Sequence, residues 1–150
     1  MSEELLDSLE LARAEVTPDA TLEAAARVLA AAAVGAIAVV DGDRVVGMLT
    51  EDELLRAVFP RYLDELTHTA FVDTDALLRP HLHETASRSV REVMRKPEVV
   101  QLPASSLDVA QRFLHTDISA LIATRDGAFV GVIDQTQFCK ALLGRFGWQF

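Results

Sequence analysis

The period of the apolar positions changes several times along the first third of the chain. Leu22, Ala25, Ala26 and Leu29 recur at helical spacing. Ala36 to Val40 is an unbroken apolar run, short enough for a buried strand. Val45 to Leu49 is a second such run, and Asp41-Gly42-Asp43 between them is turn chemistry, so the two runs predict a hairpin. Asp52 to Phe59 returns to helical spacing. The same sequence of periods recurs later. Leu107, Ala110, Phe113 and Leu114 predict a helix stripe, Ala120 to Ala123 and Phe129 to Ile133 a hairpin around Arg125-Asp126-Gly127, and Thr136 to Leu143 a closing helix.

The chain therefore reads as an internal duplication. Pro18, Leu22 and Ala25 match Pro103, Leu107 and Ala110 at an offset of 85. Ile37, Gly47 and Leu54 match Leu121, Gly131 and Phe138 at an offset of 84, which places the loss of one residue between helix and strand. The first helix is expected to be capped near Asp19 or Ala20 and its twin at Ser105. Each unit has the order strand-helix-strand-strand-helix. Such a unit leaves one sheet face open, so two units packed sheet against sheet satisfy the burial need.

This pattern divides the chain into residues 1–59, 60–89 and 90–150. The first holds an N-terminal amphipathic helix, Glu3 to Ala14 with Leu5, Leu6 and Leu9 buried, and repeat 1. The middle is a helical insert, with Arg61 to Leu66 and Ala76 to Glu84 as helices and Pro80 as punctuation. The last is repeat 2, led in by a short helix over Val90 to Met94 with Ser89 and Glu92 as a capping box.

Charge narrows the partners. The net charge is -9, and residues 1–59 carry 12 acids and 4 bases, a net of -8. Such a surface repels phosphate backbones, so no nucleic-acid polymer is expected. The single cysteine, Cys139, excludes an intrachain disulfide; its apolar-facing position predicts a buried thiol. The longest apolar stretch, Val28 to Val40, is too short to span a bilayer, and the acidic N-terminus lacks a signal core. A cytoplasmic protein without membrane attachment is expected. His81 and His83 stand two apart on a helix and face apart, so no metal site is expected. The alanines from Ala30 to Ala33 are expected to let the helix approach the sheet. Phe146 and Trp148 are expected to pack on the core or on a partner. No nucleophile or acid-base constellation is visible, so the chain is not expected to be an enzyme.

The segments Val90-Arg91-Glu92-Val93-Met94, Ile118-Ser119-Ala120-Leu121 and Gly47-Met48-Leu49-Thr50-Glu51-Asp52-Glu53-Leu54 make the pair of units resemble a CBS-domain tandem, or Bateman module. The resemblance implies an α/β (α+β) fold of two β-α-β-β-α repeats and a homodimer. It also implies an adenosine-containing ligand, such as AMP, in a cleft between the repeats, with no prosthetic group and an unidentified regulated protein as partner. Carried over position by position, the first cleft joins Thr50 and Glu53 to Pro97, Val99, Ser119 and Ala120. The second joins Asp134 and Gln137 to Thr17, Gly35 and Ala36. In the family a Thr or Ser contacts phosphate and an Asp holds the ribose. Here Glu53 keeps the carboxylate, whereas Gln137 loses it and Asp134 replaces the hydroxyl with an anion. Thr50-x-x-Glu53 and Asp134-x-x-Gln137 are equally helix caps, and a dimeric interaction module with empty clefts stays open as an alternative.

Glu51, Asp52 and Glu53 crowd one helix start. Each like charge costs about 1 to 4 kcal/mol at a few Ångström. A triphosphate is then disfavoured relative to AMP unless Arg95, Lys96, Arg44 or Arg125 intervenes.

Overall fold

The computed structural model describes residues 2–59 and 73–149, with the side chains of residues 2–4 left aside. The elements are α1 (Ser2–Ser8), β1 (Glu15–Val16), α2 (Leu22–Ala32), β2 (Ala36–Asp41), β3 (Arg44–Thr50) and α3 (Glu51–Val58). There follow α4 (Thr74–Ala86), a 3-10 turn (Val90–Glu92), β4 (Val99–Leu102), α5 (Ser106–Leu114), β5 (Ala120–Arg125), β6 (Ala128–Asp134) and α6 (Gln135–Arg145). The expected order of elements is present in both repeats.

The strands run in the order β1-β2-β3-β6-β5-β4. The two halves are joined through a single register pair, Arg44 with Ala128. In a flat sheet β2 and β5 would stand three strand spacings apart, about 14 Å. Instead β2 lies against both β5 and β6. The halves thus fold face to face across that seam, which buries the runs Ala36 to Val40 and Ala120 to Thr124 on both sides. The hairpins turn as their residues require. Gly42 alone takes a positive φ in the first turn, and Asp126 and Gly127 both do in the second.

Three local expectations are corrected. The cap of α5 is Ser105, as expected, but that of α2 is Thr21 rather than Asp19 or Ala20, each accepting an amide three residues on. The repeats are therefore in step at 84 from the cap onward, and the residue is lost between proline and cap, before the helix. A helix turns about 100° per residue, so a slip of one swings a stripe off the core. Ser106, Val109 and Phe113 are buried, whereas Leu107 and Leu114 are 77% and 81% exposed. Second, α1 stops at Ser8. Residues 9–14 continue extended because Ala12 bridges Val132 and the Ala14 carbonyl accepts the Ala38 amide. Third, Ser89 caps its turn by accepting the Arg91 amide, but Glu92 does not close the box: Ser89 Oγ donates to the Pro18 carbonyl, and Glu92 pairs with Arg88 at 3.1 Å. The helix expected over Ala76 to Glu84 is present within α4, with Pro80 inside it. The expected helix from Arg61 to Leu66 lies outside the described residues.

Each lead-in crosses to the other repeat. Arg95 exchanges two backbone hydrogen bonds with Met48 of β3, and the Val132 amide of β6 donates to the Ala12 carbonyl. The crossing needs glycine beneath it. A Cβ on Gly47 would stand 2.6 Å from Met94 Sδ, and one on Gly131 would stand 2.5 Å from Leu11 Cβ. Leu11 and Ala12 are thus the counterparts of Met94 and Arg95. The helices follow the same exchange: α1 packs on α5, and α4 packs on α2 and α3.

Candidate functional site

Both motif helices begin where a hairpin strand ends. Thr50 closes β3 and caps α3, accepting the Asp52 amide at 3.2 Å. Asp134 closes β6 and caps α6, accepting the Gln137 amide at 3.1 Å. The two starts are otherwise unlike. At the first, the Thr50 hydroxyl, buried with the core, donates to Glu53 Oε2. Arg95 Nε lies 3.4 Å from Glu53 Oε1, and the Glu53 side chain is only 11% exposed. Glu53 thus turns neither to solvent nor back to its own backbone. At the second, the Gln137 side chain is exposed.

Gly35 and Ser119, which occupy matched positions, meet at the centre. A Cβ on Gly35 would stand 2.4 Å from Ser119 Oγ. Two cavities open from this point. One, of about 360 Å³, is lined by Gly35, Thr50, Glu51, Arg95, Asp117 and Ser119. The other, of about 560 Å³, is lined by Gly35, Ser119, Asp134 and Thr136 with Ala30 and Ala33. A third cavity of about 1140 Å³ lies between β4 and α5; Glu98, Gln101, Arg112 and His115 contribute to it, and it shares Arg95 and Asp117 with the first.

The structure thus gathers Thr50 and Arg95 with Gly35 and Ser119 around one cavity, Glu53 being held by Thr50 and Arg95 without lining it, and Asp134 with the same Gly35 and Ser119 around the other. Ala36 and Ala120 are fully buried, in register with Thr50 and Asp134 of their own hairpins. Pro97 and Val99 are half-buried. Their neighbours Glu98 and Val100, not they, line the third cavity. Thr17 is exposed beyond the end of β1. Of the four bases named above, Arg95 lines the Thr50 cavity, whereas Arg125 faces Asp7 at 3.9 Å. Asp52 is held by Arg56 at 2.8 Å, so two of the three acids at the α3 start have a cation beside them.

The expected burial of Cys139 is not met, and of the alanine run expected to bring the helix close to the sheet only Ala32 packs against the core. Cys139 is exposed on α6, and Ala30, Ala31 and Ala33 face outward. Phe146 and Trp148 are exposed at 76% and 61% and do not join the core. Among the described residues no helix is long and apolar enough to cross a membrane, and no cluster of three or more His, Cys, Asp or Glu side chains could hold a metal ion.

A swapped pair of β-α-β-β-α repeats with clefts at the motif helix starts defines a tandem two-repeat module. The CBS-domain family model matches residues 14–60 and 90–144, and the chain belongs to that family. No curated protein matches the sequence. Similar solved structures include the CBS domain of a CBS domain-containing membrane protein from Sphaerobacter thermophilus, at 25% identity with 93% of this chain and 86% of that one covered and a TM-score of 0.66. A CBS domain-containing protein of unknown function from Kribbella flavida matches at 18% identity, over 95% and 97% of the two chains, with a TM-score of 0.72. CBSX2, a CBS-pair protein of Arabidopsis thaliana, matches in its complex with AMP at 20% identity, over 97% of each chain, with a TM-score of 0.64.

Proposed function

We propose that this chain is a regulatory CBS pair that binds an adenosine-containing ligand, AMP or a similar adenosyl compound, in the Thr50 cleft. The carrying observation is a buried threonine and the Arg95 guanidinium lining one 360 Å³ cavity, both of them holding the Glu53 carboxylate, which does not itself line it. That volume falls in the range of about 300–1,000 Å³ typical of small-ligand sites. The guanidinium suits one phosphate and the carboxylate suits a ribose diol; the Thr50 hydroxyl, whose one proton goes to Glu53 here, can turn to the phosphate when the diol takes its place on the carboxylate. The Asp134 cleft offers an anion and an exposed amide instead, and it is assigned no phosphate ligand. Signalling requires that the ligand favour one arrangement of the repeats over another. Titration calorimetry with AMP, ADP, ATP and S-adenosylmethionine tests the reading. AMP is expected to bind best among the nucleotides, and absence of binding by all four up to millimolar concentration would overturn it.

Self-association is part of the same reading. Leu55, Leu107, Leu114, Phe146 and Trp148 are all more than half exposed on the helices and the C-terminal end. Apolar surface of this kind favours a second copy of the chain as its cover. A monomer in sedimentation equilibrium at tens of micromolar would exclude the homodimer.

A further inference from the structure

Arg95 belongs to neither motif helix. It stands on the lead-in to repeat 2 and reaches the α3 start only because that lead-in crosses onto β3. Its backbone is clamped to Met48 by hydrogen bonds of 3.0 and 2.9 Å, so the Cα position is set by the sheet. The side chain keeps more freedom, at 36% exposed, and it lines both the Thr50 cavity and the larger cavity beside it. Its Nε faces one oxygen of Glu53, while Thr50 Oγ1 donates to the other. Both oxygens of the carboxylate therefore already have a partner within the chain.

The matched place in the other repeat has lost both members together. Ala12 stands where Arg95 does, and Gln137 where Glu53 does. An arginine without its glutamate would leave a cation at the cleft, and a glutamate without its arginine would add an unpaired acid to a crowded turn. The joint presence on one side and joint absence on the other mark the two residues as one device.

We propose that Arg95 is a latch that makes the Thr50 cleft selective for a nucleoside carrying a single phosphate. The inference rests on the nucleotide reading above. A ribose diol can use Glu53 fully only when the guanidinium lets go. A nucleoside without phosphate gives the released cation nothing in return. A 5′-phosphate gives it a charge-assisted partner, and guanidinium pairs with phosphate through two parallel N–H···O bonds. The same cavity is lined by Glu51, Asp52 and Asp117 and by one further cation, Arg56, which pairs with Asp52 at 2.8 Å; Glu51 and Asp117 supply the opposing charge that penalises a longer phosphate chain.

The test is calorimetry of AMP and of adenosine against the wild-type chain, Arg95→Ala and Arg95→Lys, with far-ultraviolet circular dichroism confirming the fold of each. Releasing Glu53 from an ion pair of this exposure is expected to raise adenosine affinity about two- to fivefold in Arg95→Ala. Loss of the phosphate partner is expected to lower AMP affinity about tenfold or more. The preference for AMP over adenosine thus collapses in Arg95→Ala and is partly kept in Arg95→Lys. An unchanged preference in Arg95→Ala, with binding intact, would overturn the latch and leave the nucleotide reading standing. No binding of either compound to any of the three chains would overturn both.

Discussion

At the start of α3 a buried threonine, a nearly buried glutamate and an arginine from the other repeat meet. At the matched start of α6 stand a half-buried aspartate, an exposed glutamine and, where the arginine would be, an alanine. The backbones around the two are near copies: each has a strand ending in a helix cap, a crossing lead-in and a glycine beneath it. Fold and chemistry have therefore separated. Packing constraints hold both copies to one geometry, because a Cβ at either glycine meets the crossing chain. The polar side chains in the clefts are under no such constraint, and three of them differ together. A duplicated fold can in this way keep one backbone while the side chains at its two clefts diverge.

The largest test of the correspondence concerns the cores. Leu22 is 3% exposed and Leu107 is 77% exposed, although the sequence match pairs them. At a concentration where the chain sediments as a monomer, Leu22→Ala is expected to cost about 2–5 kcal/mol in urea unfolding. Leu107→Ala is expected to stay within about 0.5 kcal/mol. Equal losses would restore the offset of 85.

Next come the crossings. Gly131→Ala drives a Cβ against the backbone-bound Leu11 Cβ and toward the Ala12 carbonyl, so overpacking of about 1–3 kcal/mol is expected. Gly47→Ala meets the Arg95 carbonyl at 3.2 Å in the same way, but its nearest contact is the thioether of Met94, which can swing aside, and a smaller cost of about 1 kcal/mol is expected. A reversed order, measured by thermal unfolding, would contradict the placement of the two lead-ins. The smallest effect separates the clefts themselves. In AMP titrations Thr50→Ala is expected to weaken binding about fivefold, the worth of one hydrogen bond of about 1 kcal/mol. Gln137→Ala, on an exposed side chain, is expected to change it less than about twofold. Equal losses would make the two clefts alike after all.

The hairpins were legible because their signals are local. An apolar run, a glycine turn and a second run need no distant partner to be recognised. The stripe of α5 is hard to phase from sequence for a physical reason. The helix α2, LEAAARVLAAA, is apolar almost all round, so its phase is weakly marked. A leucine-to-leucine match competes there with the caps Thr21 and Ser105, which carry the true register. The phase of Cys139 is as weakly marked, since α6 buries Phe138 and turns its neighbours outward. Thr50 and Glu53 could be singled out as a pair because they lie three apart on one helix start. Arg95 could be named only as one base among four, because nothing in its own neighbourhood points to Glu53.

Spacing along the chain already carries the duplication, the hairpins, the motif caps Thr50 and Asp134 and the imbalance of charge between the two motifs. All of these depend on spacing within a few residues or on a pattern seen twice. Which lead-in crosses onto which strand, and hence that Arg95 reaches Glu53 while Ala12 stands beside the other motif, emerges from the packed fold alone. That choice depends on the face-to-face packing of two sheets and on the room left by Gly47 and Gly131, and no local stretch of the chain encodes it.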